Sequence, residues 1–349
     1  MARLVLRGGD PDGRCGRPCP GRGRVRLLRP GTAVAGPGPQ GRGTSVQELT
    51  EPGARAWNGL AVPRGAAEQP DVVVIGVPFE GGAGGAGGAS LGPGRVRELS
   101  NRLKTTDRRG RDASRLRLLD RGDVETWRFD LPRTIDHVRE VYRSVFDEVT
   151  APVLTFGGDH SLTYPIVCSA ARGRDLGLVW FDAHPDVLDG YQGSTISHGS
   201  PLRRIVEEGA VAPENVLLVG TRAYDAGEVD FIRANGINEV PAAAFTDDPA
   251  GARQRYLRQL AEISGRVGAF YVTVDIDVLD ASCVPGTGTP VAGGIGSGEL
   301  LGLLEGLPEP VLAYDIVEFA PSHDVGGMTG HAVMAITTAF LARIAAARD

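Results

Sequence analysis

The segment APVLTFGGDHSLTYPIVCSAARGRDLGLVWFDAHPD, residues 151–186, holds two short apolar runs, Pro152–Phe156 and Leu176–Phe181, with a helix-like stretch, Leu162–Ala171, between them. Both runs are rich in aliphatic and aromatic residues without polar alternation, the texture of strands buried on both faces. A strand, a helix and a second strand make one parallel crossover unit. The same texture continues on either side. Asp71–Phe79, Asn215–Val219, Ala269–Val274 and Val311–Ile316 read as strands, and Pro93–Leu103, Thr134–Val149, Pro201–Glu208, Ala226–Asn235, Gly251–Ile263, Gly298–Leu304 and Gly330–Ala346 as helices. The alternation predicts an α/β fold with a parallel sheet between two layers of helices.

Ligands of such sheets bind beyond the carboxyl ends of the strands. The residues that follow the apolar runs here are Gly157-Gly158-Asp159-His160-Ser161, Asp182-Ala183-His184-Pro185-Asp186, Asp275-Ile276-Asp277 and Glu318. In extended chain, residues i and i+2 share a side, so Asp275 pairs with Asp277, and Asp182 with His184 and Asp186. With His160, that gathers two imidazoles and four carboxylates. Carboxylates this close repel one another unless a cation neutralises them. Six such donors suit a bridged pair of divalent ions, and oxygen and nitrogen ligation without sulfur suits Mn²⁺. His137, on an ordinary predicted helix, is assigned to structure.

The 349-residue chain is 42% hydrophobic and 23% charged, enough for a large core, and its net charge of −6 argues against a general nucleic-acid binder. Lys104 is the only lysine, so arginine abundance carries little functional weight. Residues 1–69 hold 14 Gly, eight Pro and 11 Arg against five acids. That composition predicts a disordered extension, leaving 70–349 as the folded domain. Cys15 and Cys19 have no further Cys or His nearby to complete a zinc site. No signal-peptide or membrane-spanning run is read, so a cytoplasmic protein with no membrane partner is expected.

The motifs GGDHS (157–161), DAHPD (182–186), SHGSP (197–201), TVDIDVLD (273–280), PGTGTP (285–290) and VEFAP (317–321), in that order and spacing over about 70–347, resemble the signature set of the ureohydrolase family: arginases, agmatinases, guanidinobutyrases and formimidoylglutamases. The resemblance implies the three-layer α/β/α arginase fold and two Mn²⁺ per chain. His160, Asp182, Asp186 and Asp275 would hold one ion, and His184, Asp182, Asp275 and Asp277 the other. It further implies His198 as proton shuttle, Glu318 as the guanidinium clamp, Asp159 as a support behind the ligands, and Thr289 of PGTGTP against the substrate. Asp277 would take the proton of the attacking hydroxide. Relatives assemble as trimers or hexamers, so a homo-oligomer is implied.

For the small guanidino substrate, PGTGTP and DGYQGSTISHGSP (189–201) are similar to agmatinases and guanidinobutyrases. Arginases place an Asn two residues after the last Asp of DAHPD, where this chain has Leu188, which cannot hold an α-carboxylate. TRAYDAGE (221–228) in contrast resembles the arginase segment that binds an α-amino group, here at Asp225. Agmatine, cleaved to urea and putrescine, is the expected substrate. Guanidinobutyrate, arginine or formimidoylglutamate, with Arg222 reading an acidic tail, and a non-catalytic binding protein of the same fold are the alternatives. The loop GGAGGAGG (81–88) lacks a phosphate loop's Gly-Lys-Ser/Thr ending and is expected to be a flexible rim.

Overall fold

The computed structural model describes residues 46–47, 56–63 and 69–348, all within one compact unit, Thr44–Asp349. Cys15, Cys19 and most of the predicted extension lie outside the described residues. The first elements are β1 (Val46–Gln47), β2 (Val72–Val77), α1 (Gly92–Ser100), β3 (Leu118–Val124), α2 (Leu131–Glu148), β4 (Val153–Gly157), α3 (Thr163–Ala170) and β5 (Leu176–Phe181). There follow α4 (Pro201–Glu207), β6 (Val216–Val219), α5 (Ala226–Asn235), β7 (Asn238–Val240), α6 (Ala242–Asp247) and α7 (Pro249–Ser264). The chain closes with β8 (Ala269–Asp275), α8 (Ser297–Glu305), β9 (Val311–Val317) and α9 (Met328–Ala346).

The strands form one sheet in the order β1-β3-β2-β4-β9-β8-β5-β6-β7, parallel throughout except for β1 against β3. Helices cover both faces. Val96 of α1, Leu260 of α7, Leu304 of α8 and Phe340 of α9 join one apolar cluster with Val74, Phe156 and Val272. Val138 of α2, Val167 of α3, Ile205 of α4 and Ile232 of α5 join the other with Ile75, Leu178 and Tyr271. The expected three layers are therefore present. Of the described helices, only α9 is long and apolar enough to cross a membrane, and most of it is buried in this core.

Three strands escaped the apolar-run reading, and all lie towards a sheet edge. β3 buries only every second residue, while β1 and β7 are two and three residues long. Strands exposed on one face alternate and do not read as apolar runs. The composition boundary at residue 70 also fails as a packing boundary. Trp57 is fully buried, stacks on Phe156 with ring centroids 5.5 Å apart, and donates its indole N–H to Asp120 Oδ2 at 2.9 Å. Arg97 bridges the same Asp120, at 2.8 Å, to Asp123, at 2.6 Å. One aromatic inside a Gly- and Pro-rich stretch is invisible to an average over 69 positions, yet it is a large core side chain.

Along the sheet, Thr155 of β4, Asp315 of β9, Thr273 of β8 and Trp180 of β5 are register partners in a single row. The strand ends just beyond that row carry the polar motifs.

Candidate active site

Each motif is aimed by the backbone that delivers it. At the end of β4, a Cβ on Gly158 would lie 1.6 Å from the Phe79 carbonyl oxygen, so only glycine permits this approach of β4 to the chain after β2. The Glu318 N–H donates to the Gly158 carbonyl at 2.8 Å, docking the end of β9 there as well. Asp186 and Glu318 both adopt left-handed backbone, with φ of 56° and 61°. Non-glycine residues in that region concentrate at functional sites.

The six predicted ligands meet. His160 Nδ1 lies 2.9 Å from Asp182 Oδ2, 3.0 Å from Asp186 Oδ2 and 3.4 Å from Asp275 Oδ2. Yet Nδ1 is buried with no contact in hydrogen-bond geometry. His184 Nδ1 lies 3.4 Å from Asp182 Oδ1 and 3.2 Å from Asp277 Oδ2. The donor atoms of His160, Asp182 and Asp186 all lie within 4.8 Å of one another, as do those of Asp182, His184 and Asp277, so Asp182 belongs to both groups. Oxygens that converge on an imidazole nitrogen without an in-line hydrogen bond fit a cation between them.

Electrostatics agree with that reading. Burial and the neighbouring Asp277 and Asp182 charges push Asp275 well above the usual carboxylate range, and burial with the Asp182 charge brings Asp186 up to about 7. Burial works against ionised Asp182, but His160 and His184 outweigh it and hold the carboxyl low. Burial opposes a charged His184, while Asp182 and Asp277 carry it up to about 12. Without further positive charge the protonated forms of Asp275 and Asp186 are favoured, and a metal ion bound there would displace those protons.

Around this floor lies a cleft of about 290 Å³ lined by residues that include Leu188, Tyr191, His198, Tyr224, Asp225, Glu228, Thr289 and Glu318. Glu318 Oε1 accepts the His160 backbone N–H at 2.9 Å and sits 3.8 Å from His198 Nδ1. The Gly84 N–H donates to His198 Nε2 at 3.1 Å. That contact puts the neutral ring's hydrogen on Nδ1, the nitrogen nearer Glu318. Thr289 Oγ1 donates to Asp277 Oδ2 at 3.2 Å. Asp159 is buried and accepts from the Gly82 and Ser161 N–H groups, at 2.8 and 3.0 Å; burial and the Glu318 charge raise it to about 6.

Two expectations change. The glycine loop is a fastened rim: Gly82 is held by Asp159, Gly84 by His198, the Gly87 carbonyl by His323 at 2.8 Å, and the Gly88 N–H by Glu80 at 2.7 Å. Cβ atoms on Gly84 and Gly85 would meet Tyr191 at 2.5 Å and Thr289 at 2.8 Å, so these glycines serve close packing. Arg222 does not face a substrate tail. Its guanidinium donates to the carbonyls of Asp277 at 2.7 Å, Val291 at 2.9 Å and Gly220 at 3.0 Å, tying the loop after β8 to residues 291–292. Sequence reasoning missed Tyr191, Tyr224 and Glu228. Glu228 accepts the Val187 and Asp225 N–H groups, at 3.1 and 2.9 Å, joining the start of α5 to the segment after Asp186. His137 lies away from the cleft, edge-on to Trp127.

A parallel sheet between helices, with paired His/Asp clusters at its strand ends, defines a three-layer α/β/α protein with a candidate binuclear metal centre. The arginase family model matches residues 70–342, and the chain belongs to that family. It is similar to guanidinopropionase of Pseudomonas aeruginosa, 38% identical over 74% of this chain and 81% of the relative, and to agmatinase of Bacillus cereus, 32% identical over 75% and 88%. Among solved structures, proclavaminate amidinohydrolase of Streptomyces clavuligerus superimposes with a TM-score of 0.72 at 31% identity, covering 82% of this chain and 94% of the other. Arginase of Bacillus caldovelox gives 0.64 at 25% identity, covering 78% and 98%. The protein is accordingly a hydrolase acting on guanidino compounds.

Proposed function

We propose that the chain hydrolyses agmatine to urea and putrescine at a pair of Mn²⁺ ions held by His160, Asp182, His184, Asp186, Asp275 and Asp277, as a cytoplasmic homo-oligomer. The observation that carries the substrate choice is the cleft wall. Asp225 and Glu228 line it above Glu318 on the floor, and among the described residues the cleft has no Lys or Arg to meet a carboxylate. Leu188 offers no hydrogen bond, and Arg222 is engaged with backbone. A carboxylate-bearing tail would be desolvated without a partner, whereas a second cation at the far end of the guanidino compound finds Asp225.

When bound, the divalent ions supply a hydroxide nucleophile at neutral pH by lowering the pKa of water. The residues do the rest. Glu318 takes two guanidinium N–H groups in a charge-assisted fork and sets the planar carbon over the floor of the cleft. Asp277 Oδ2, next to Thr289, accepts the proton given up as the C–O bond forms. His198 delivers Nδ1–H to the departing amine as the C–N bond breaks. Protonation of Nε2 from solvent, which releases the Gly84 contact, comes before that delivery, so the ring passes from imidazolium to neutral imidazole.

The 38% identity to guanidinopropionase favours a second reading, a guanidino acid. Urea release from agmatine, 4-guanidinobutyrate, 3-guanidinopropionate and arginine, measured side by side on Mn²⁺-loaded protein, decides between them. Agmatine is expected to give the highest kcat/KM, and preference for either guanidino acid would overturn the argument from the cleft wall.

A further inference from the structure

Beneath the cleft, the row Thr155–Asp315–Thr273–Trp180 crosses the four central strands of the sheet. Asp315 is completely buried. Its Oδ2 accepts from the Tyr271 hydroxyl at 2.6 Å and the Thr163 hydroxyl at 2.9 Å, while Oδ1 has no partner in hydrogen-bond geometry among the described residues. Among the described residues no cationic side chain pairs with it, an expensive arrangement for a carboxyl in the core of a sheet. Next to it, Thr273 Oγ1 stands 2.9 Å from His160 Nε2. Trp180 stacks on the His160 ring, centroids 4.2 Å apart and planes within 17°, and donates its indole N–H to Asp182 at 3.0 Å.

The direction of these bonds follows from what His160 must do. Its Nδ1 faces three carboxylate oxygens, so coordination there needs the ring hydrogen on Nε2. That N–H has one acceptor beside it, Thr273 Oγ1. The Thr273 hydroxyl must then send its own hydrogen elsewhere, and its register partner Asp315 carries the open acceptor, Oδ1. We infer that Asp315 is a positioning residue which, through Thr273, holds His160 with Nε2 protonated and Nδ1 presented to a metal ion. This rests on the metal-centre reading of His160. Histidine ligands are commonly fixed by a carboxylate on the far nitrogen, and here a hydroxyl is interposed between the two.

The test compares wild type, Asp315→Asn, Thr273→Val and Thr273→Ser by Mn²⁺ titration of metal-free protein followed by calorimetry and electron paramagnetic resonance. Asp315→Asn and Thr273→Val are expected to weaken one of two binding steps by about 10–100-fold and leave the other unchanged, with Thr273→Ser restoring it. A variant combining Asp315→Asn with Thr273→Val should bind no more weakly than either alone, since both act along one chain of bonds. Wild-type affinity at both steps in the folded variants, or an equal loss at both accompanied by a lower Tm, would overturn the inference. Should wild type bind no Mn²⁺, the metal reading fails separately. The positioning claim is then read by NMR of histidine-labelled protein: a slowly exchanging His160 Nε2–H in wild type and Thr273→Ser, absent in Thr273→Val. Its persistence in Thr273→Val would refute it.

Discussion

The floor and the outer wall of the cleft are built by different means. On the floor, His160, Asp182, Asp186, Asp275, Asp277 and Glu318 are buried at the ends of four neighbouring central strands, with Asp277 accepting the Ala183 N–H, Asp275 the Asp277 N–H and Glu318 the His160 N–H. On the wall, Tyr224 and Asp225 are exposed on the segment leading into α5, and Leu188 sits on the connection from β5 to α4. Displacing a floor ligand moves part of the sheet. Exchanging an exposed wall residue such as Asp225 moves less, although the buried Glu228 braces the wall from within. On the proposed function, reaction type is held by the core, and substrate choice by a few exposed side chains.

The strongest challenge to this contrast is Asp182→Ala. Because Asp182 approaches both His160 and His184, metal content should fall at both positions and kcat/KM by about 10³-fold or more. Retention of two ions per chain, read by elemental analysis, would show that the floor is less cooperative than its geometry indicates. Next comes His198→Asn, expected to lower kcat by about 10²-fold or more with metal content unchanged. Burial opposes a charged His198, but Glu318 raises its pKa above the ordinary value. The acid form is the competent donor, so activity holds below that raised pKa and declines as pH rises through it. The variant's profile should lack this limb.

On the wall, Asp225→Asn should raise KM for agmatine by about tenfold with little change in kcat, the signature of lost uniform binding. A kcat effect of equal size would place Asp225 in the chemistry. The smallest expected effect on turnover is that of Trp57→Ala, remote from both regions. It should leave kcat unchanged while lowering stability by about 3–5 kcal/mol in urea unfolding. A chain beginning at residue 70 loses that side chain together with β1 and the buried Leu60 and should lose at least as much, whereas residues 1–45 are expected to be dispensable.

The floor was legible because strand-end carboxylates and histidines follow apolar runs directly, and the i, i+2 spacing puts them on one side. Asp315 lay inside such a run, Val311–Ile316, and was read through as part of an apolar strand. A lone acid in a strand buried on both faces was the available signal. Arg222 shows the opposite case. Its sequence position beside the cleft suggested a substrate contact, and only the backbone carbonyls of a distant loop reveal its work. Trp57 was hidden by its company. What pattern reading misses, in each instance, is a single residue whose partners are far away in the chain.

The left-handed backbone at Asp186 and Glu318 has a consequence for how this protein would respond to selection. Non-glycine residues held there cost on the order of 1–3 kcal/mol each. A directed-evolution campaign scoring only heat tolerance would find relief in glycine or asparagine at these positions, and its most robust survivors would be inert.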